Sequence, residues 1–95
     1  MTYEWDEAKR AANLRKHGYD FTAADLVYAS PRKLTIQMIR RGKSRLQDIA
    51  IVEIRGAILT LVYLIRGYNI RIISFRKASR KEPRIYDSSR AQRHD

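Results

Sequence analysis

The sequence predicts an α+β domain, on three observations. Two capped segments of helical period open the chain, four strand-like segments follow, and one more helical segment closes it. The connections between the strand-like segments are short, so neighbouring strands are expected to pair antiparallel, as a four-stranded meander. Ninety-five residues with a hydrophobic fraction of 44% suit one core, so residues 1–95 are read as a single domain.

The elements follow in order. "TYEW" (2–5) is a candidate short N-terminal strand. "DEAKRAANLRKHG" (6–18) is a helix, with Asp6 as N-cap and Glu7 at the positive end. Arg15, Lys16 and His17 lie at its negative end, and Gly18 suits a left-handed exit. Ala8, Ala11, Ala12 and Arg15 share a face, a thin apolar stripe. "TAADLVYASP" (22–31) is a second short helix, with Thr22 as cap, Asp25 completing a capping box and Pro31 as stop. "KLTIQMI" (33–39) alternates Leu34, Ile36 and Met38 against Thr35 and Gln37, as a half-buried strand does. "RRGKS" (40–44) is a turn, "LQDIAIVEI" (46–54) a second strand, and Arg55-Gly56 a break. "AILTLVYLI" (57–65) is almost wholly apolar, as in a central strand covered on both faces.

"RGYN" (66–69) is the next turn and "IRIISFR" (70–76) the last strand. Strict alternation puts Ile70, Ile72, Ser74 and Arg76 on one side, and Arg71, Ile73 and Phe75 on the other. "SRKEPRIYDSSRAQ" (79–92) is the closing helix, with Ser79 and Glu82 in capping-box spacing. Pro83 would remove a first-turn hydrogen bond from a helix capped by Ser79, so the start is expected nearer Glu82. Residues through His94 and Asp95 are expected to fray. The helices are expected on one sheet face, leaving the other open. Trp5 reads as a core anchor, and Tyr63 and Tyr86 as amphipathic packing groups.

The charge is +10 and unevenly spread. Residues 1–31 hold four Lys/Arg against five Asp/Glu, whereas 32–95 hold sixteen against five. That asymmetry points to a polyanion or an acidic protein partner. Cysteine is absent, which excludes disulfides and thiol chemistry, and two distant histidines make no metal ligand set. No cofactor is expected. With no apolar run at the start and none near the roughly 20 residues of a membrane span, a cytoplasmic protein without membrane contact is expected.

Chemistry concentrates where the last strand meets the closing helix. A helix N-terminus presents unpaired N–H groups, and Arg76, Lys77 and Arg80 would surround it with cations, giving a candidate phosphate pocket. The competing view pairs these cations with Glu82 and the C-terminal acids. His17 titrates near neutral pH and is able to move a proton, although spacing alone favours a helix-end cap, and Lys16 is equally ordinary as a helix-end charge.

Together, "YEWDEAKRAANLRKHGYDFTAADLVYASP" and "IRIISFRKASRKEPRIYD" resemble the BrnT family of bacterial type II toxins. The shared pattern comprises Glu4-Trp5-Asp6, Lys9, Asn13, Lys16-His17-Gly18, Ala24 through Pro31, and Arg71 through Glu82. Phe75 in place of a small residue, Ser44 in place of the Glu before Arg45, and Pro83 depart from it.

The resemblance implies a RelE-like fold and a metal-independent endoribonuclease. It also implies a BrnA-like antitoxin partner, with operator DNA bound only through the antitoxin complex. Lys16, His17, Arg71, Arg76, Arg80 and Glu82 become the catalytic candidates, with Lys77, Lys81 and Tyr68 as RNA-binding candidates. The RNA 2′-hydroxyl would attack its own phosphodiester, so the protein need supply only proton transfer and cations for the phosphorane charge. From another class, the alternatives are a basic RNA- or ribosome-binding module without catalysis, and an interaction protein whose basic face docks an acidic antitoxin segment.

Overall fold

In chain order the elements are β1 (Thr2–Glu4), α1 (Glu7–His17), a 3₁₀ turn (Phe21–Ala23), α2 (Asp25–Tyr28), β2 (Leu34–Arg40), β3 (Lys43–Ile54), β4 (Ala57–Arg66), β5 (Asn69–Lys77) and α3 (Glu82–Arg93). The structure, a computed structural model, describes residues 2–40, 43–54 and 56–93; for 38–40, 43–47, 49–54 and 88–93 it describes the backbone alone. The centre of the 40–44 turn, Arg55 of the expected break, the Ser44 side chain and the expected fraying at His94 and Asp95 lie outside the described residues.

The strands form one sheet in the order β1-β5-β4-β3-β2. β2 through β5 pair antiparallel with their sequence neighbours, and β1 pairs parallel to β5, with Tyr3 opposite Ile70. Gly67, at φ 59°, sits in the two-residue loop between paired Arg66 and Asn69. A left-handed turn there costs glycine little.

Leu59, Leu61 and Tyr63 of β4 join Ile70, Ile72 and Phe75 of β5 in one core, closed over by Phe21, Ala24 and Val27. Trp5 packs on that core, edge-on to Phe21, and its indole N–H donates to Glu7 at 3.0 Å. Thr60, on the opposite face of β4, is fully buried under Glu82 of α3. The expectation that all helices share one face is therefore corrected: α3 covers the second face. Its Tyr86, also buried, donates its hydroxyl to the Arg32 carbonyl at 3.0 Å and so ties α3 to the chain entering β2.

Two other expectations are corrected locally. The cap of the second helical segment is Asp20, whose carboxylate accepts from the Thr22 N–H at 3.1 Å, and not Thr22. The chain then makes a 3₁₀ turn and a single turn of α-helix, and Asp25 accepts the Tyr3 hydroxyl instead of completing a capping box. The second correction concerns β5. Val62 faces Ser74 but Tyr63 faces Ile72, so Ile73 is an extra residue in the ladder. This bulge reverses the alternation. Phe75 lands on the core face with Ile70 and Ile72, packed 5.3 Å from Tyr19, and Arg76 turns to the α3 face opposite Thr60.

Candidate active site

The site is built around Arg76. Its cross-strand partner Thr60 and the first residue of α3, Glu82, meet it on the second face of the sheet. Arg76 donates from Nη1 to Glu82 Oε1 at 2.8 Å and from Nη2 to Oε2 at 3.1 Å, a forked pair. A further Nη1 bond reaches the Lys77 carbonyl at 3.2 Å. Among the described residues these take three of the five guanidinium donors, leaving two for a ligand.

Glu82 is the fixed point. Its carboxylate also accepts the Ser79 N–H at 2.5 Å and the Thr60 hydroxyl at 3.0 Å. Burial works to raise the carboxyl, but the Arg76 guanidinium, the Ser79 N–H and Thr60 outweigh it and hold it at about 2. It is ionised at neutral pH, which suits orientation of Arg76 and not proton donation. The expected open phosphate nest at the start of α3 is thus partly filled by the protein's own carboxylate. Pro83 occupies the second position of α3, where the helix needs no donor from it.

The other half of the site comes from α1. Asp6 caps the helix through the Ala8 and Lys9 N–H groups at 2.8 and 3.2 Å. Gly18, at φ 78°, ends it by donating to the Leu14 carbonyl at 2.9 Å. The covered residues of α1 are Arg10, Ala11, Asn13 and His17; of the predicted stripe of Ala8, Ala11, Ala12 and Arg15 only Ala11 is among them, and Asn13 is the most deeply buried. His17 is half-buried, and burial, then the charges of Lys16 and Arg76, push its imidazole below the ordinary range. The α1 end and the β5 end meet through the Asn13 bonds to the Phe75 backbone at 2.7 and 3.2 Å, and the charge of Arg76 acts on His17.

The remaining candidates are placed differently. Arg71 pairs with Glu4 at 3.2 Å. Five residues up β5 from Arg76, it lies on the order of 15 Å away at ~3.3 Å per residue. Tyr68 is 89% exposed, at the turn on the far end of β5. Lys16, Lys77, Arg80 and Lys81 are exposed, and among the described residues the last three enter no ion pair.

Two residues to which sequence reasoning gave no role hold the site together: Asn13, named only within the family pattern, and Thr60, not singled out at all. Asn13 joins α1 to the Phe75 backbone, and Thr60 anchors Glu82. The signals for Asn13 were its place in the family pattern and a polar residue where a helix needs an inward face; Thr60 had its place amid the apolar run of β4.

Among the described residues no three of His, Asp and Glu gather as a metal ligand set, and no helix is long and apolar enough to cross a membrane. A search among curated proteins returned no match. Residues 5–82 match the profile of a family described as the ribonuclease toxin, BrnT, of type II toxin–antitoxin systems. The match spans both α1 and the β5–α3 junction, so the chain belongs to the BrnT family of ribonuclease toxins.

Proposed function

We propose that the chain is a metal-independent endoribonuclease toxin of RelE-like fold that cleaves RNA by transesterification, inhibits translation and is neutralised by a BrnA-type antitoxin. The observation that carries this is the Arg76–Glu82 fork at the β5–α3 junction, beside which the Asn13 bonds to the Phe75 backbone hold the helix that carries the half-buried His17.

In the reaction the RNA 2′-oxygen attacks phosphorus, the P–O5′ bond breaks, and a 2′,3′-cyclic phosphate and a 5′-hydroxyl result. His17 accepts the 2′ proton, and the adjacent Lys16 ammonium gives one to the leaving 5′ oxygen, the proton on His17 then passing back to Lys16 or to solvent. Arg76, aimed by Glu82, offers its two remaining donors to the phosphorane oxygens. Because Glu82 offsets the charge of Arg76, the attractive field is supplied by Lys16, Lys77, Arg80 and Lys81. Tyr68 serves as a stacking platform for a base away from the scissile phosphate. An antitoxin that covers this face blocks it, and operator DNA is reached only through that complex. Such chemistry belongs in the cytoplasm, where the RNA is.

Incubation of the purified protein with RNA in EDTA tests the proposal. Loss of full-length RNA that Arg76→Ala abolishes supports it. RNA that is bound yet intact places the chain with non-catalytic RNA-binding modules.

A further inference from the structure

We propose that Asn13 is a positioning residue, which fixes the C-terminal end of α1, and with it His17, against Arg76 on β5. The inference rests on the ribonuclease reading and deepens it.

β1 pairs with β5 only from Asn69 to Arg71, so past that point the same edge of β5 lacks a strand. Asn13 fills the gap. Its Nδ2 donates to the Phe75 carbonyl at 2.7 Å, and its Oδ1 accepts the Phe75 N–H at 3.2 Å, the paired bonds a neighbouring strand would make. The second Nδ2 hydrogen goes to the Tyr19 carbonyl at 2.9 Å, and the Ser74 hydroxyl lies 3.4 Å from Oδ1. All four hydrogen-bonding capacities of the amide are used. One side chain thus ties together α1, the chain just past Gly18, and the bulged part of β5.

What it ties is the site. His17 lies one turn beyond Asn13 on the same face of α1, and Arg76 directly follows Phe75. A helix that needed only to be held down would bury an apolar side chain here. Asn13 is 8% exposed and polar, and its two β5 bonds set register as well as contact. The charged groups acting on His17 are Lys16 from its own helix and Arg76 from β5, and only the second depends on how α1 sits on the sheet.

The test follows His17 by NMR titration in a His94→Gln background, which leaves a single imidazole. In folded Asn13→Ala protein, the His17 pKa is expected to rise toward the ordinary imidazole value as Arg76 and the burial are lost. RNA cleavage is expected to fall on the order of 10- to 100-fold in kcat, with KM changed about two-fold or less. Val27→Ala, a cavity in the core under α2, is expected to leave the titration where it was.

An unchanged His17 titration in Asn13→Ala overturns the proposal, as does an equal shift in Val27→Ala. If Asn13→Ala does not fold, hydrogen exchange in the parent protein decides: a protected Phe75 amide supports the clip, and exchange at the rate of a free edge amide overturns it. These readouts need no RNA. A parent protein that cleaves nothing refutes the ribonuclease reading, while the titration and the exchange still judge Asn13.

Discussion

Replacing Glu82 by Gln isolates the charge at the centre of the site. The amide keeps the size and one acceptor but cannot hold Arg76 as an ion pair. The carboxyl sits at about 2, against an ordinary 4.5. At ~1.4 kcal/mol per unit, that separation bounds the contribution at about 3.5 kcal/mol. The Arg76 side chain remains 25% exposed, and solvent screening lowers the expected loss to about 2 kcal/mol.

The sign is set by a folded-state value below the unfolded one. The stabilisation is complete above about pH 4.5, shrinks as pH falls toward 2, and is gone below it. Urea unfolding of parent and Glu82→Gln at pH 7, 5 and 3 measures this. The expected difference is about 2 kcal/mol at pH 7 and 5, equivalent to about 10 °C in Tm for a domain of this size, and less than half of that at pH 3. A difference that ignores pH, or one below about 0.5 kcal/mol at pH 7, would refute the assignment of Glu82 as an ionised clamp.

Other outcomes follow from the same contacts. Asp48 is fully buried and accepts from Lys33 at 3.1 Å, Thr35 at 2.6 Å and the Tyr63 hydroxyl at 3.1 Å. Asp48→Ala strands Lys33 and two hydroxyls, and thermal or urea unfolding should register a loss of about 3–5 kcal/mol. Thr60→Val keeps the shape but removes the donor to Glu82, costing about 1 kcal/mol in the same assay, with cleavage reduced less than in Arg76→Ala. Arg76→Lys keeps the charge and loses the fork; cleavage rates should fall on the order of 100-fold, near the value for removal of an oxyanion donor. Lys77→Ala and Arg80→Ala should each lower the slope of log affinity against log salt by about 0.7 in RNA-binding titrations, and an unchanged slope removes that residue from the phosphate contacts.

Much of this was legible along the chain. Leu59, Thr60 and Leu61 carry no exposure, as a central strand covered on both faces demands, and Gly18 ends α1 where a left-handed exit was needed. Glu82 opens α3, with Pro83 inside the first turn, for the reason that proline's missing donor dictates. The rest was hidden by three physical facts. Alternation assumes a continuous ladder, and the extra residue at Ile73 moves Phe75 and Arg76 to the faces opposite those expected. Periodicity counts apolar residues, and α1 docks through the polar Arg10, Asn13 and His17 with only Ala11 of the apolar stripe partly covered. Like charges near in sequence look convergent, yet Arg71 is claimed by Glu4 while Arg76 is claimed by Glu82. The family pattern joined His17 to Arg76; the contact that does so is an asparagine amide bonded to the strand backbone.

The chemistry of the cut ends bears most directly on the central claim, that Arg76, aimed by Glu82, and neutral His17 drive attack by the RNA's own 2′-hydroxyl. Products of an RNA digest in EDTA should carry 2′,3′-cyclic phosphate and 5′-hydroxyl ends, and a substrate with a 2′-deoxy sugar at the cut position should stay whole. Products with 3′-hydroxyl and 5′-phosphate ends, or cleavage of the 2′-deoxy substrate, would contradict it.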